Sequence, residues 1–388
     1  MIKYLGSKRL LIPAIRALVA AVPHARRVCD PFSGTARVGH ALKRDGFAVA
    51  ANDVNLFATT LARCWVEADL ERHGEDAAAL LDELAHVQPE AGWFTDTFCV
   101  QSRYFRPENG ARIEAIRNAI ARKALDPVLE SVLLTALLQA ADRVDSTCGL
   151  QMAYLKQWAP RAHTPLELRV PELAPAARHG PCEAHCGEAE DFVAAHAADV
   201  IYLDPPYNQH SYLGNYHVWE TLVRWDAPEC YGVARKRADC KQRRSEFNSR
   251  RRCGDALARV IARCDARVLI VSFNDEGHLT RDEITALLAT RGPVHVHEID
   301  YKRYVGAQIG IYNPSGERVG AVSHLRNKEL LFVVDVAGTG VRWDEVLAAA
   351  CAGLALTSAS AATRSGRATR SGTGRASPRP ASQADSHP

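Results

Sequence analysis

Arg27-Val28-Cys29-Asp30-Pro31-Phe32-Ser33-Gly34-Thr35-Ala36 is the stretch on which the fold turns. Arg27-Val28-Cys29 reads as a short strand, Asp30 to Ala36 as a turn, and Arg37 to Asp45 as a helix that Gly46 stops. A second strand, Phe47-Ala48-Val49-Ala50-Ala51, follows and leads to Asp53. Gly34 lets backbone amides approach a ligand closely at the carboxyl end of a parallel sheet. Alone, such a turn is weak evidence, since many α/β proteins carry one for steric reasons. Asp53 strengthens it, because an acidic residue about twenty positions on suits a ribose diol. The phosphate-binding form of the turn has three glycines. With essentially one here, a nucleoside without phosphates fits better than a dinucleotide.

Further along, the apolar run Asp199-Val200-Ile201-Tyr202-Leu203 passes straight into Asp204-Pro205-Pro206-Tyr207. Arg267 to Val271 is a similar run ending in the polar residues Ser272 and Asn274, and later strands are expected at Val294 to Tyr301 and Glu329 to Val336. Apolar strands alternating with helices predict an α/β fold with a mostly parallel sheet covered on both faces. Between the two halves lie more than a hundred residues of different character. Ala111 to Ala121 and Pro127 to Val144 have helical periodicity, while Gly149 to Pro171 is irregular and carries Tyr154, Lys156, Trp158 and Arg161. The expected organisation is residues 1–56 and 181–350 forming one sheet domain, 57–180 an inserted lobe, and 351–388 a basic tail. The tail is rich in Ala, Ser, Thr, Gly, Arg and Pro, a composition that buries too little apolar area to offset ordering entropy.

The 388 residues are 47% hydrophobic and 24% charged, ordinary for a globular protein. No run approaches the ~18 apolar residues of a membrane span. Lys3, Lys8 and Arg9 before Leu10 to Val22 imitate a secretory signal, but Pro13 and Arg16 interrupt the run, which reads better as a loop and an amphipathic helix. Eleven scattered cysteines suit reduced thiols in a cytoplasm. Cys182, His185 and Cys186 are the closest metal-like set, and no second pair completes four ligands, so no metal is expected. Charge is uneven. Arg235 to Arg252 holds nine Lys/Arg against Asp239 and Glu246, a local +7; the tail from Cys351 adds +4, leaving the rest near −8 in a chain of net +3. A concentrated basic segment on an acidic body suggests either a polyanion contact or a solvated loop.

Asp204-Pro205-Pro206-Tyr207 is the most specific signal. The lone pair of an exocyclic aryl amine is delocalised into its ring, which makes it a poor nucleophile. Asp204 and the Pro205 carbonyl can accept its two hydrogens, draw the nitrogen toward tetrahedral geometry and stabilise positive charge as a methyl group arrives. Two prolines stiffen the loop and leave carbonyls aimed outward. Tyr207 can stack on a base rotated out of a duplex. The plain alternative is a Pro-rich turn closing a strand. Methyl transfer from a sulfonium to an amine is one in-line displacement, so no covalent nucleophile is required, and alignment alone supplies on the order of 7–11 kcal/mol. Two weaker stretches are Lys3-Tyr4-Leu5-Gly6-Ser7-Lys8, by itself an ordinary loop, and Cys186 to Phe192, an acidic loop able to bind an adenine amine or simply a solvated charge run.

Taken together, these residues resemble the Dam-type class of adenine-specific DNA methyltransferases, including members of restriction–modification systems. The likeness covers most of residues 1 to 345 in the order Lys-Tyr-Leu-Gly-Ser-Lys, Asp-Pro-Phe-Ser-Gly, acidic strand end, insert, Asp-Pro-Pro-Tyr. It implies a Rossmann-like methyltransferase fold with a mixed, mostly parallel seven-stranded sheet and a helical target-recognition insert. It also implies an S-adenosylmethionine pocket lined by Tyr4, Lys8, Asp30, Phe32, Ser33, Gly34, Asp53 and Asp191, and Asp204, Pro205, Pro206 and Tyr207 holding the target adenine. Asp142-Arg143-Val144 through Gly149-Leu150 is similar to the segment that reads DNA sequence. Asn208 to Glu220 and Glu246-Phe-Asn-Ser-Arg250 are similar to restriction-associated members, and Ser272-Phe273-Asn274 to the class's polar strand end. The implied partner is double-stranded DNA, met by a cytoplasmic monomer with a cognate restriction endonuclease. One departure is Ala36, where the class usually has a second glycine and where a methyl group is tolerated if φ is negative. RNA adenine, cytosine-N4 and a protein amide are rival methyl acceptors, and a silent DNA-binding regulator is a rival of another kind. Asp at 204 favours adenine, and the insert with the N-terminal lysine motif favours duplex DNA.

Overall fold

In the computed structural model, which describes residues 2–302, 311–312, 318–320, 326–352 and 354, seven strands form one sheet. They are β1 (Arg27–Asp30), β2 (Ala48–Asp53), β3 (Glu183–Cys186), β4 (Ala198–Leu203), β5 (Ala266–Asn274), β6 (Val294–Lys302) and β7 (Arg326–Asp335). Their spatial order is β3-β2-β1-β4-β5-β7-β6. All pairings are parallel except those of β7, which lies antiparallel between β5 and β6. The helices used below are α1 (Ile12–Ala21), α2 (Arg37–Arg44), α3 (Leu56–Ala62), α4 (Leu70–Ala85), α5 (Pro107–Arg122), α6 (Pro127–Val144), α7 (Ala189–Ala195), α8 (His217–Arg224), α9 (Cys253–Arg263) and α10 (Arg281–Ala289).

Because successive side chains of a strand point to opposite faces, each near-continuous apolar run feeds two cores. Val200 and Tyr202 of β4 join Val268 and Ile270 of β5 and Leu331 and Val333 of β7 on the face covered by α1, α2 and a closing helix at 343–352. Ile201, Leu203, Leu269, Val271, Phe332 and Val334 fill the other face, against α7, α9 and α10. A third core joins α3–α6 to α8 around Trp65, Phe94, Phe98, Tyr104, Phe105 and Trp219. At its centre is α6, started by Pro127 and by Asp126, whose carboxylate accepts from the Val128 and Leu129 amides. Helix α6 is buried almost all round, as a helix without a polar face must be.

The strands expected from the sequence are present with ends displaced by a few residues, and Pro127–Val144 is helical as read. At four points the structure departs from the sequence reading or adds to it. The short edge strand β3 was not foreseen, because its half-exposed Glu-Ala-His-Cys shows no apolar run. The stretch after Cys186 is not an acidic loop throughout, since residues 189–195 are helical and bury Phe192 and Val193. Ala36 has φ +55°, in the left-handed region rather than at negative φ. The closing helix continues through residue 352 with Cys351 buried, past the expected boundary at 350. The remainder of the expected basic tail, residues 355–388, lies outside the described residues. No helix among the described residues is long and apolar enough to cross a membrane.

Candidate active site

The chain runs outward from β1 to β2 to β3 and then returns to set β4 beside β1. The loops leaving β1 and β4 therefore diverge, opening a crevice at the carboxyl ends of the two strands, where open parallel sheets hold ligands. A cavity of about 290 Å³ lies there. Its lining includes Tyr4, Lys8, Asp30, Phe32, Ser33, Gly34 and Asp53 from one set of expected residues, and Asp204 and Pro206 from the other.

On the β1 side the backbone folds into a tight turn, with Ser33 donating to the Asn52 carbonyl (2.9 Å) and Ala36 to the Ser33 carbonyl (2.7 Å). Gly34 takes φ +51°, and a Cβ there would approach the Tyr4 ring at 3.2 Å, so position and conformation both call for glycine. Asp53 ties the turn to the end of β2. One carboxylate oxygen accepts from the Gly34 amide (3.1 Å), and the other from the backbone and side-chain nitrogens of Asn55 (2.9 and 3.1 Å). Burial pushes its pKa up, those hydrogen bonds pull it back, and it settles at about 6. Asp30 is 1% exposed and its Oδ1 has no hydrogen-bond partner, as is also true of the Ser33 hydroxyl. Burial, with the nearby Asp204, drives the Asp30 pKa well above the carboxylate range. Buried polar atoms are nearly always paired, so unpaired ones facing a cavity point to a ligand. Tyr4 stacks between Tyr212 and Tyr216 (centroids 5.2 and 4.8 Å), and Tyr216 accepts from the Leu5 amide (2.6 Å).

On the β4 side Asp204 is held by two side chains, Lys8 and Ser272. Lys8 Nζ lies 3.2 Å from Asp204 Oδ1 and 3.4 Å from Glu329, and the Ser272 hydroxyl donates to Asp204 at 3.1 Å. Tyr202 in turn meets Ser272 at 2.8 Å. Burial raises the Asp204 pKa while Lys8 lowers it, leaving it at about 6. Burial opposes the Lys8 charge, but Asp204 and Glu329 outweigh it and keep the ammonium well above its ordinary pKa. Pro205 is buried, and Tyr207 packs against Phe273 (5.9 Å) beneath the Lys8 ammonium (5.6 Å) rather than lining the cavity. The resemblance had put Lys8 among the donor residues; it lines the cavity and also reaches the Asp204 loop.

Asp191 falls outside this arrangement. It sits on the outer face of α7, its side chain 82% exposed and 3.9 Å from Arg263, while Glu188 and Ala189 line the cavity. Cys182 precedes β3 and is buried against the Phe47 carbonyl, while Cys186 and His185 are neighbours on the strand and so point to opposite faces; the clustered set among the described residues is Glu183, His185 and His196. Sequence reasoning named Glu329 only as the start of a strand and missed its part in the site, the one local signal being an acid just ahead of the apolar run Leu330 to Val334. It also missed the wall formed by residues 242–248. There Phe247 meets Phe32 edge-on (5.2 Å), and Asn248 donates to the Asn208 and His210 carbonyls (2.7 and 3.1 Å). Part of the basic segment is thus structural. Arg237 pairs with Asp226 and Asp239, and Arg243 pairs with the fully buried Glu220 and donates to the Val54 carbonyl. Lys241, Arg244, Arg250, Arg251 and Arg252 are exposed. From the insert, Gln151 accepts the Val218 and Trp219 amides and caps α8 (2.9 and 3.3 Å), while Asp142 and Asp145 hold Lys3.

Residues 4–254 match the family model described as D12 class N6 adenine-specific DNA methyltransferase. The chain is 27% identical to the type II methyltransferase M.FokI of Planomicrobium okeanokoites, over 78% of this chain and 49% of that protein. It is 27% identical to the type II methyltransferase M.NlaIII of Neisseria lactamica, over 78% of this chain and 92% of the relative. It is 26% identical to the modification methylase StsI of Streptococcus sanguinis, over 78% and 48% respectively. The chain thus spans about half the length of M.FokI and StsI and nearly all of M.NlaIII. With a β1 turn and a β4 Asp-Pro-Pro-Tyr loop meeting at one crevice, and a family match over that whole region, the chain belongs to the D12 class of N6 adenine-specific DNA methyltransferases.

Proposed function

We propose that this chain methylates the N6 amine of an adenine flipped out of duplex DNA, using S-adenosylmethionine, as the modification part of a type II restriction–modification system. The observation that carries the reading is the buried Asp204, fixed by Lys8 and Ser272 on one wall of the cavity whose other wall is the Asp30 turn. The cavity's chemistry fits the donor. An unpartnered buried carboxylate oxygen at Asp30 suits an ammonium, and Asp53 retains lone pairs for a ribose diol. When bound, S-adenosylmethionine supplies a methyl group activated by its sulfonium.

Asp204 does the work at the acceptor. Ionised, it accepts a hydrogen from the adenine amine and places a negative charge where positive charge develops on nitrogen. The Pro205 carbonyl accepts the second hydrogen. Lys8 keeps Asp204 ionised at neutral pH without reaching the base, and Ser272 fixes its rotamer. Tyr207, braced by Phe273, offers a ring to the extruded base. The irregular stretch after α6, with Tyr154, Lys156 and Arg161 and with Arg103 over the Trp158 ring (4.5 Å), is the surface proposed to face DNA. The type II and modification names of the relatives support a cognate endonuclease as partner. A cytoplasmic monomer remains the proposed working form. The test is transfer of labelled methyl from S-adenosylmethionine to duplex DNA of varied sequence. Wild type should label adenine and Asp204→Ala should not, while the variant still binds the donor; a wild type that labels no DNA would refute the proposal.

A further inference from the structure

The donor cavity contains a cation that neither the sequence motifs nor the acceptor chemistry uses. Arg37 is the first residue of α2 and lines the same cavity as Asp30. Its Nε is buried and has no hydrogen-bond partner. Other arginines removed from solvent have guanidinium partners: Arg237 two carboxylates, half-buried Arg243 Glu220, and Arg117 the Leu222 and Val223 carbonyls, although Arg117 Nη1 and Arg235 Nε also lack one. No ion pair joins Arg37 to a carboxylate among the described residues. Burial and the neighbouring cation Arg9 both lower its pKa, so its surroundings supply no compensating anion. The amides opening α2 are likewise uncapped by any side chain, and the 8%-exposed Ser33 hydroxyl beside them lacks a partner.

Unpaired donors at Ser33 and Arg37 therefore line the same cavity as an unpaired acceptor close by in sequence, Asp30 Oδ1. A ligand satisfying both must carry an anionic and a cationic group a few bonds apart. A phosphate would satisfy the donors alone and would face Asp30, Asp53 and Asp204 across the same cavity. An α-amino acid has the required pair of charges. We propose that Arg37, with the Ser33 hydroxyl and the α2 N-terminus, binds the carboxylate of the donor's methionine moiety and positions its sulfonium end. This rests on the reading of the cavity as an S-adenosylmethionine site. Arg37 is thereby a positioning and specificity residue: it distinguishes the amino-acid form of the donor from a donor lacking the carboxylate.

Calorimetric titration of the full chain tests this with three probes: S-adenosylmethionine, its decarboxylated analogue, and 5′-methylthioadenosine, which lacks the amino-acid end. Wild type should bind S-adenosylmethionine roughly 10- to 100-fold more tightly than the decarboxylated analogue, the range expected for a charge-assisted contact. Arg37→Ala should lose that preference, yet bind the decarboxylated analogue and methylthioadenosine within about twofold of wild type, which also reports an intact cavity. Arg37→Lys should recover part of the preference, and in turnover the effect should fall on the KM for donor more than on kcat. Equal weakening of all three probes in both variants would make Arg37 a structural residue, and an unchanged preference would place the carboxylate elsewhere; either overturns the assignment while leaving the donor site standing. A wild type that binds none of the three would instead refute the donor site, and this inference with it.

Discussion

The turn after β1 and the loop after β4 face each other across one crevice, yet their polar groups are in opposite states. On the β1 side Asp30, Ser33 and Arg37 keep atoms without partners, and the backbone takes positive φ at Gly34 and Ala36. On the β4 side Asp204 is already engaged by Lys8 and Ser272, Lys8 also by Glu329, and Tyr207 by Phe273. On the proposed function, the difference follows from what each side has to do. A donor brings its own charges and can complete a half-satisfied site, so leaving groups unpaired there converts binding into specificity. A neutral adenine amine brings no charge. Its partner must be ionised and oriented beforehand, since stabilisation that needs no reorganisation is what lowers a barrier.

The comparison is broken most severely at Asp204. Asp204→Ala should reduce methyl transfer by more than about a thousandfold, the upper range for a missing transition-state partner, with donor affinity changed little. A comparable drop in donor binding would mean that the two sides are not separable. The next largest effect belongs to Lys8. A carboxylate accepts the amine's hydrogen only when ionised, so activity should fall as pH drops through about 6. Lys8 lowers the Asp204 pKa, so Lys8→Met should move the acid limb of the kcat/KM profile to higher pH as well as slowing the reaction. An unmoved limb would show that Lys8 does not set the charge of Asp204.

Smaller effects sharpen the picture at its edges. Neutralising Lys241, Arg244, Arg250 and Arg251 together should flatten the salt dependence of DNA binding, by a slope of roughly 0.9 for each phosphate that the protein no longer neutralises. An unchanged slope would make these four a solvated loop. The smallest effect is at Ala36. Relief of left-handed strain opposes the removal of a buried methyl and the entropy of glycine, so Ala36→Gly should alter stability by less than about 0.5 kcal/mol. The buried α6 control Ala136→Gly should cost about 1–2 kcal/mol. Denaturant midpoints compare the two, and equal destabilisation would show that Ala36 is unstrained.

The sheet was legible in the sequence because strands buried on both faces must be continuously apolar, and a turn that reverses strand order needs Gly34 and Asp53. Asp204 to Tyr207 stood out as a candidate loop because few other roles call for Asp, two prolines and an aromatic at a strand end, and Asp204 and Pro206 do line the cavity. Edge strand β3 was not, because a strand covered on fewer sides need not be apolar. Asp191 was misplaced because its neighbours Phe192 and Val193 form a helix that turns it outward. Charge density alone could not separate Arg243, half-buried and paired with Glu220, from exposed Arg250 nearby. Arg37 and Glu329 act through partners hundreds of positions away or through none at all, and no local pattern records that.

The central claim is that the engaged side of the crevice acts on adenine. The most direct measurement is mass-spectrometric identification of the modified nucleoside after wild-type protein, S-adenosylmethionine and duplex DNA have reacted. N6-methyladenine is the expected product, absent from the Asp204→Ala reaction. N4-methylcytosine, or no methylated base in DNA of varied sequence, would contradict it.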